Sequence, residues 1–531
     1  MGDVIHSEKT CFQEVFMSID QQAIVKTKAG DLEGIVNNGL YVFKGIPYAA
    51  PPTGSLRWMP PQLVESWSGV RSAKDFGPIA PQNLMPMELV GAPSFEGQPQ
   101  SEDCLFLNVW TPGLDDARRP VFFWIHGGAF IIGAGTESFL EDGALARRGD
   151  IVVVSINYRL GALGFMNLKE ITGGKIPSTG NEGLLDQIAA LDWVQDNITA
   201  FGGDPDNVTI SGFSAGGMSV GTLLSMPAAH GKFHKAHNRS GAANIVGPLE
   251  DCVRISEQYL RILDLKGKDV DALRSLDTRQ LLHAQQVLSD KLREEEYRAT
   301  PFQPVVDGNA LPELPMNAIK KGFAKEIPIM SGSSFDELKS MSTMDPAVRG
   351  MDDTQLVKRL SSMMPAESVP NVVEVYRQAL NKRVGSPTPV EILGSINTDW
   401  MFRIPTIRLV ETQRDNGAPA YHYLFIYESP AMGGILGAVH GLDNPFLFGC
   451  LDEEFTGIDS ELEDLALKMQ DSCAAFVRTG DPSCNSMGQW PVYGKDRMTM
   501  LFDRSSRVEA APYEAERAAW DSIDYLYSTP L

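Results

Sequence analysis

The residue pattern that most restricts the fold of this chain is a serine enclosed by glycines between a strand and a helix. Residues 208–217 read VTISGFSAGG, so a β-branched run leads directly into a Gly-x-Ser-x-Gly turn, and a helical pattern follows it. The turn between two such elements must be tight, and small residues around Ser214 let the neighbouring backbones approach. We call residues 212–216 the serine turn. It predicts that the Ser214 hydroxyl lies at the top of a sheet, beside the Ala215 amide and a helix N-terminus.

Short apolar runs elsewhere in the chain indicate the sheet that would carry this turn. They read as nearly continuous hydrophobic strands, which is typical of a sheet covered on both faces. The runs are Val121–Ile125, Ile151–Ile156, Val208–Ser211, Ile327–Met330 and Tyr421–Ile426. A helical pattern at residues 183–198 lies between two of them, and alternation of strands and helices favours an α/β fold with a large, mostly parallel sheet.

The domain organisation follows from the absence of repeats and low-complexity linkers. We expect residues 1–531 to form one domain, with an N-terminal extension at 1–20 and a helical insertion at about 340–420. A chain of this length can bury about 75% of its unfolded surface, so it needs no disulfide or metal for stability. Its six cysteines show no metal-binding spacing, and we expect no metal ion.

Charge and hydropathy restrict the partners. The chain has 46 basic and 68 acidic residues, a formal net charge of −22, which disfavours nucleic acid and anionic membranes. No apolar stretch reaches the length of a membrane span, and the N-terminus lacks the basic and apolar regions of a signal peptide. We therefore expect a cytoplasmic protein with no membrane insertion, either a monomer or a homodimer.

A serine hydroxyl at neutral pH is a poor nucleophile unless a base, oriented by a third group, takes its proton. Of the eight histidines, His440 is the one in a late glycine-flanked loop after a predicted strand. The acid should follow a strand between the serine and the histidine. Asp336 and Glu337 lie side by side in such a position and Asp307 is a third candidate, and the spacing alone does not choose among them.

A second loop supplies a possible site for negative charge. Residues 122–130 read FFWIHGGAF, a strand that ends in small residues. We call residues 127–130 the glycine loop. Acyl transfer needs backbone N–H groups aimed at the tetrahedral oxyanion, and small residues allow the backbone to come close. Together with the serine turn, the glycine loop predicts an oxyanion hole.

Several longer motifs resemble one family across nearly the whole chain. In order they are FKGIPYA (43–49), SEDCLFLNVW (101–110), NYRLG (157–161), GNEGLLDQ (180–187), FGGDP (201–205) and the serine turn. With these motifs the chain resembles the type B carboxylesterases, the cholinesterase-like branch of the α/β hydrolases, and within them the microbial enzymes similar to para-nitrobenzyl esterase.

The resemblance implies roles for individual residues. It implies Glu337 as the triad acid beside Ser214 and His440, and Gly128, Ala129 and Ala215 as the oxyanion donors. It also implies a small-molecule ester as the substrate and no cofactor. The expected reaction is hydrolysis of esters of short to medium acyl chains through an acyl-enzyme. Phe130, Phe213 and Phe302 are candidate pocket residues, although Phe130 and Phe302 fit core packing equally well.

The chain also departs from the family pattern. Phe213 stands where the family usually has Glu, Ala129 where it usually has Gly, and Asp443 where it usually has Glu. Ala80 stands near the position of the cysteine that would pair with Cys104 in the family's first disulfide. Residues 81–100 contain a single aromatic residue, Phe95, which disfavours choline esters because a quaternary ammonium group needs an aromatic cage.

Three alternatives to a general carboxylesterase remain at this point. One is a hydrolase dedicated to a particular natural-product ester, lactone, carbamate or thioester. Another is a lipase, although the missing cysteine disfavours a disulfide-closed lid. The third is a binding protein without activity, as the family includes such proteins, and the presence of all three predicted triad residues disfavours it.

Overall fold

The computed structural model describes residues 23–83, 95–265, 269–296 and 300–523. In these residues the strands are β1 (Ile24–Lys26), β2 (Asp31–Glu33), β3 (Ile35–Asn37), β4 (Leu40–Pro47), β5 (Val70–Ser72), β6 (Phe106–Thr111), β7 (Arg119–Ile125), β8 (Val152–Ile156), β9 (Gly203–Phe213), β10 (Lys235–Arg239), β11 (Gly247–Pro248), β12 (Val305–Val306), β13 (Ile329–Ser334), β14 (Ala420–Phe425), β15 (Met498–Phe502) and β16 (Arg507–Ala510).

The α-helices of the same residues are α1 (Ala144–Gly149), α2 (Gly161–Phe165), α3 (Lys169–Thr172), α4 (Glu182–Asn197), α5 (Ala215–Leu223), α6 (Leu249–Ile262), α7 (Val270–Ser275), α8 (Thr278–Glu296), α9 (Pro315–Lys320), α10 (Lys339–Met344), α11 (Asp353–Leu360), α12 (Val369–Val384), α13 (Pro389–Thr398), α14 (Ile404–Asp415), α15 (Asp443–Phe448), α16 (Ser460–Thr479) and α17 (Glu514–Ala518). A π-helical turn, Asp399–Arg403, joins α13 to α14.

An 11-stranded sheet organises these elements, in the order β16-β15-β14-β13-β10-β9-β7-β8-β6-β4-β3. The run from β15 to β8 is parallel, and the strands at both ends are antiparallel. The large, mostly parallel sheet that the sequence predicted is therefore confirmed. Because parallel strands end at the same edge, the loops after β7, β9, β13 and β14 meet there.

Strand β7 illustrates why the sheet is covered on both faces. Its side chains alternate between two hydrophobic cores, with Phe123 and Ile125 in the core that includes α4. Phe122 and Trp124 lie in another core, which includes residues of α1 and α16. A strand buried on both faces needs apolar residues at every position, which explains the continuous run VFFWI.

Three of the five predicted strands have nearly the observed bounds, whereas β9 (Gly203–Phe213) extends beyond the predicted Val208–Ser211 at both ends and one further strand is shifted. The run Ile327–Met330 forms a strand only from Ile329, and β13 continues through small polar residues to Ser334. Pro328 has no N–H to donate to a sheet, and its carbonyl accepts a hydrogen bond from Ala236 N. The segment at about 340–420 contains the helices α10–α14, and its status as an insertion stays a prediction. The predicted N-terminal extension lies outside the described residues.

Among the helices of the described residues, none is both long enough and apolar enough to cross a bilayer.

Candidate active site

The serine turn joins β9 directly to α5. Ser214 adopts φ 56° and ψ −123°, a sparsely populated conformation for a residue with a side chain. Its N–H donates to the carbonyl of Arg239 in the neighbouring strand over 2.9 Å. At Gly216 a Cβ would lie 2.0 Å from the carbonyl oxygen of Ile125, so only glycine fits beneath the turn. The predicted tight strand-to-helix connection is confirmed.

The glycine loop lies at the end of β7, next to the serine turn. Gly128, Ala129 and Phe130 all have positive φ angles, of 108°, 54° and 62°. Within the described residues, the N–H groups of Gly128 and Ala129 donate no hydrogen bond, and neither does that of Ala215 at the start of α5. Buried or half-buried backbone N–H groups are normally paired, so these three N–H groups have the capacity to donate to an external acceptor.

His126 stabilises the start of the glycine loop by a hydrogen bond and a ring contact. Its ring stacks on Tyr158 at 4.4 Å between centroids, and its Nδ1 donates to the carbonyl of Gly127 over 2.7 Å. Burial lowers the pKa of His126 to about 4, so its imidazole is neutral at physiological pH. The side-chain amide of Gln82 binds both the N–H and the carbonyl of Gly133, at 2.8 and 3.0 Å, and thereby fixes the far end of the same segment.

His440 lies in the loop after β14, which we call the histidine loop (residues 437–442). Its Nδ1 is hydrogen-bonded to the carboxylate of Glu337, which is fully buried after β13. The other carboxylate oxygen of Glu337 accepts the N–H of Ser334 over 2.7 Å. A hydrogen bond at Nδ1 fixes the tautomer of a neutral imidazole and leaves Nε2 as the acceptor.

The two other candidate acids have different partners. The carboxylate of Asp336 accepts the N–H of Ala438 over 3.1 Å, and burial raises the pKa of this carboxyl. Asp307 accepts the N–H groups of Asn309 and Leu311, at 2.9 and 3.0 Å, within its own loop. Of the three carboxylates, only that of Glu337 is hydrogen-bonded to His440.

Two phenylalanine rings flank the imidazole of His440. The ring of Phe213 lies 4.5 Å away and that of Phe402 lies 4.8 Å away, each inclined by 36°. Phe213 precedes Ser214, so this contact brings the histidine loop to the serine turn. The Ser214 hydroxyl itself forms no hydrogen bond to His440 among the described contacts, and such bonds are often long in free enzymes and tighten with substrate bound.

Phe402 was missed by the sequence analysis, and it lies in the π-helical turn. Pro405, four residues after Met401, has no N–H to donate to the Met401 carbonyl, which instead accepts from Asn244 Nδ2 over 3.1 Å. The proline inside a helical pattern was the available signal, because π-turns are frequent at functional sites and where the helical ladder is interrupted.

The candidate pocket residues have different environments. Phe213 is half-buried and contacts His440. Phe130 is buried and packs edge-on against Phe165 at 5.0 Å, and Phe302 is buried against Tyr259 at 5.5 Å. A role for Phe130 and Phe302 in the pocket stays a prediction.

The departures from the family pattern can also be located. Asp443 forms an ion pair with Arg239 in which Nη2 and Oδ2 are 2.6 Å apart, and both side chains are buried. Cys104 is a buried thiol, and burial raises its pKa, while Ala80 is buried in the same hydrophobic core. Cys473 and Cys484 are separate thiols.

In residues 23–83, 95–265, 269–296 and 300–523, no three or more His, Cys, Asp and Glu side chains are grouped so that they could hold a metal ion.

Known proteins resemble this chain over nearly its whole length. The model of the carboxylesterase family matches residues 21–520. The chain is 36% identical over 499 residues to para-nitrobenzyl esterase of Bacillus subtilis, which covers 93% of this chain and 97% of that protein. It is 34% identical to phenmedipham hydrolase of Pseudarthrobacter oxydans, over 92% of this chain and 96% of that protein. A solved carboxylesterase structure from Geobacillus stearothermophilus has a TM-score of 0.83 at 36% identity, over 94% of this chain and 100% of that chain.

A mostly parallel sheet with a strained serine between a central strand and a helix defines an α/β hydrolase. Within that class, the chain belongs to the carboxylesterase family. It is accordingly a carboxylic-ester hydrolase, and the resemblance inferred from its motifs is confirmed.

Proposed function

We propose that this enzyme hydrolyses esters of short to medium acyl chains through an acyl-enzyme formed on Ser214. His440 acts as the general base and Glu337 orients and stabilises its imidazole. The N–H groups of Gly128, Ala129 and Ala215 bind the oxyanion. No metal or organic cofactor takes part in this scheme, because the base activates the nucleophile and the amides stabilise the charge.

The hydrogen bond between Glu337 and His440, beside the strained serine, is the observation that carries this proposal. It leaves Nε2 of His440 as the proton acceptor for the Ser214 hydroxyl. As Ser214 Oγ attacks the carbonyl carbon, Nε2 takes its proton, and the buried carboxylate stabilises the imidazolium. Collapse of the tetrahedral intermediate breaks the ester C–O bond, and the alcohol leaves with that proton.

Deacylation repeats the same steps with water. His440 takes a proton from water, the resulting nucleophile attacks the acyl carbon, and Ser214 regains the proton as the acid product leaves. The oxyanion forms at the same place in both half-reactions. Each lost oxyanion donor costs about 10²–10³ in rate, so three preorganised amides are a large share of the expected catalysis.

The experiment is a chain-length series with a serine variant. Initial rates are measured on p-nitrophenyl acetate, butyrate, octanoate and palmitate for the wild type and for Ser214→Ala. We expect the highest kcat/KM on acetate or butyrate and less than about 1% of it in the variant, because the variant has no nucleophile. A maximum at palmitate would favour a lipase, and a variant that retains more activity would contradict the assignment of Ser214.

A matched control uses a serine of the same helix region that the scheme does not involve. The hydroxyl of Ser225 donates to the carbonyl of Thr222 over 2.7 Å at the end of α5. Ser225→Ala should keep rates close to those of the wild type. Reaction of each protein with a fluorophosphonate probe, located by mass spectrometry, then reports on Ser214 independently of the ester used.

A second candidate substrate class is carbamates and related esters. It is supported by the similarity to a protein named for the hydrolysis of phenmedipham. The same nucleophile and oxyanion donors would serve, and only the pocket would differ. Release of product from phenmedipham, compared with p-nitrophenyl butyrate under the same conditions, measures which substrate the enzyme prefers.

A further inference from the structure

A buried ion pair connects the strand beside the serine turn to the helix after the histidine loop. Arg239 is the last residue of β10 and Asp443 is the first residue of α15. Their side chains are 2.6 Å apart at Nη2 and Oδ2, with exposures of 1% and 0%. Two charges that leave water completely cost several kcal/mol each unless they are well paired, so this contact needs an explanation.

The backbone of Arg239 supports the proposed nucleophile. Its carbonyl oxygen accepts the N–H of Ser214 over 2.9 Å, and a Cβ at Gly217 would lie 2.7 Å from the same oxygen. The carbonyl therefore faces the serine turn at close quarters. The guanidinium extends into the hydrophobic core that contains Trp124, and its Cζ lies 6.0 Å from the centre of the Trp124 ring.

The side chain of Arg239 supports the proposed base. Asp443 follows His440 by three residues, and the turn between them is closed by Leu442 N to Val439 O at 3.1 Å and by Asn444 N to Gly441 O at 3.1 Å. A displacement of Asp443 would therefore move the imidazole. One residue thus contacts both the serine turn and the segment that carries His440, which are more than 200 positions apart in the chain.

The charges around this contact are unequal. Glu337 and Asp443 are both fully buried carboxyl groups, and Arg239 is the buried cation between β10 and the histidine loop. All three charges affect the pKa of the Tyr423 hydroxyl. Burial raises this pKa, the charges of Asp443 and Glu337 raise it further, and the charge of Arg239 lowers it. Burial alone would lower the pKa of Arg239, but Asp443 and Tyr423 raise it above its ordinary value, so the guanidinium stays charged.

We propose that Arg239 is a positioning residue of this active site, which anchors the histidine loop through Asp443 and cancels the charge of that carboxylate beside His440. The inference rests on the proposed function, because it assigns His440 as the base. With the charge of Asp443 paired, Glu337 acts on the imidazole directly, through its hydrogen bond to Nδ1 of His440. Arg239 touches no reacting atom, and it acts through the backbone of Ser214 and through the turn before Asp443.

Other titratable groups face this region from the surrounding elements. His237 of β10 is kept neutral, since burial and Arg239 lower its pKa well below the usual value. Burial raises the pKa of Cys473 in α16 to about 12, and it also raises that of Asp336 after β13. These groups and Tyr423 are common to all the variants below, so differences between the variants report on Arg239 and Asp443.

The first test is the pH profile of Asp443→Asn. The acid limb of kcat/KM reports the pKa of the free enzyme's base. In this variant the Arg239 charge is uncompensated, and a positive charge disfavours the imidazolium, so the limb should move to lower pH by about 0.5–1 unit. A limb that coincides with that of the wild type would overturn the charge-cancelling role.

A second variant keeps the test decisive if an unpaired buried cation prevents folding. The double variant Arg239→Met with Asp443→Leu removes both charges with apolar groups of similar volume, a change that folded proteins often tolerate. Its acid limb should coincide with that of the wild type, while kcat falls about 10–100-fold at nearly constant KM because the anchor is lost. A wild-type kcat in the folded double variant would overturn the anchoring role.

Asp186→Asn is the matched control. Asp186 forms an equally buried pair with Arg159, 2.7 Å apart, away from the histidine loop. This variant should lose thermal stability and keep the wild-type acid limb. The same shift as in Asp443→Asn would identify a general effect of a broken buried pair and would overturn the inference.

Failure of this inference and failure of the proposed function are distinguishable. Wild-type and Ser214→Ala rates on p-nitrophenyl butyrate test the function first. The pH dependence of inactivation by the fluorophosphonate then reports the protonation of the base that activates Ser214, without ester turnover. Inactivation profiles that are the same for the wild type and Asp443→Asn, in an enzyme that hydrolyses the ester, would reject only the role of Arg239.

Discussion

At the scale of single residues, the site depends on backbone conformations that its side chains do not favour. Ser214 has φ 56° and Ala129 has φ 54°, and each such conformation costs on the order of 1–3 kcal/mol. The bond from Ser214 N to Arg239 O and the close contact of Gly216 with the end of β7 hold the serine turn in place. The surrounding structure therefore imposes the exposed position of the serine hydroxyl.

Gly216→Ala tests this dependence. The new Cβ would lie 2.0 Å from Ile125 O and 2.7 Å from His126 O, and neither is the end of a flexible side chain. We expect kcat/KM to fall at least about 100-fold, because the serine turn and the glycine loop must separate. Gly494→Ala is the control, since its Cβ would have no neighbour closer than 4.0 Å, and it should retain wild-type activity. Equal activities in the two variants would contradict the argument.

The adjacent carboxyls Asp336 and Glu337 allow a paired test of the proposed acid. Glu337→Gln should lower kcat about 10³–10⁴-fold, because an amide cannot stabilise the imidazolium and favours the wrong tautomer. Asp336→Asn keeps an oxygen for Ala438 N and should lower kcat less than about tenfold. The measurement is steady-state kinetics on p-nitrophenyl butyrate, and a larger loss in Asp336→Asn would reverse the assignment.

At the scale of secondary-structure elements, the π-helical turn Asp399–Arg403 delivers Phe402 to the imidazole. A buried set of polar groups holds this turn: the Tyr376 hydroxyl and the Arg403 guanidinium both bind the Asp399 carboxylate, and Trp520 Nε1 donates to the Tyr376 hydroxyl over 2.8 Å. At the start of the turn, Thr398 accepts the N–H of Leu338, the residue after Glu337. The turn is therefore fastened to both the proposed acid and the proposed base.

Phe402→Ala tests the role of this element. Removal of the Phe402 ring leaves a cavity beside the imidazole of His440. This cavity costs about 3–5 kcal/mol of stability and lets the imidazole move. We expect kcat to fall about tenfold or more, with a greater share of the activity on larger acyl groups. Phe402→Leu, which fills most of the space, is the control and should lie close to the wild type. Identical acyl-chain profiles in the wild type and Phe402→Ala would contradict the placement of Phe402 at the site.

At the scale of the whole molecule, the parallel sheet brings distant segments to one edge. The glycine loop follows β7, the serine turn follows β9, Glu337 follows β13 and the histidine loop follows β14. These segments are far apart in sequence, and they meet because each follows the carboxyl end of a parallel strand. The arrangement of the sheet thus determines which residues meet.

The buried acid Glu137 makes the stability of the molecule depend on pH. Burial raises its pKa to about 8, and Trp124 Nε1 donates to its carboxyl over 3.0 Å. Because the folded pKa lies above the unfolded value, the contribution of Glu137 is complete below about pH 4.5 and is lost as the pH rises through 8. Each unit of pKa difference corresponds to about 1.4 kcal/mol.

Glu137→Gln should remove this dependence. The amide keeps an oxygen for Trp124 and does not ionise, so the variant should gain thermal stability over the wild type as the pH rises from 5 to 9. The measurement is the difference in Tm between the two proteins at each pH. Groups common to both, including His126 and His422, cancel in that difference. A difference that stays constant with pH would contradict an ionisable Glu137.

Much of the fold could be predicted from the sequence because the deciding patterns are local. A continuous apolar run such as VFFWI predicts a strand buried on both faces. The glycines on either side of Ser214 predict the tight turn between β9 and α5. The strand predicted at Ile327–Met330 begins only at Ile329 because Pro328 has no N–H to donate to a sheet, which is also a local rule. These patterns also placed His440 in a late loop and the glycine loop before the serine.

The contacts of His440 were decided only by the tertiary structure. Spacing left Asp307, Asp336 and Glu337 open, because adjacent residues in a loop point in different directions and only the packed histidine loop selects between their carboxylates. Pro405 signals an interrupted helix near Phe402 but not which side chain that helix contacts, and the segment of Arg239 carries no comparable signal. Phe402 and Arg239 each reach His440 or Asp443 across the assembled sheet, and a contact of that kind depends on how distant elements pack together.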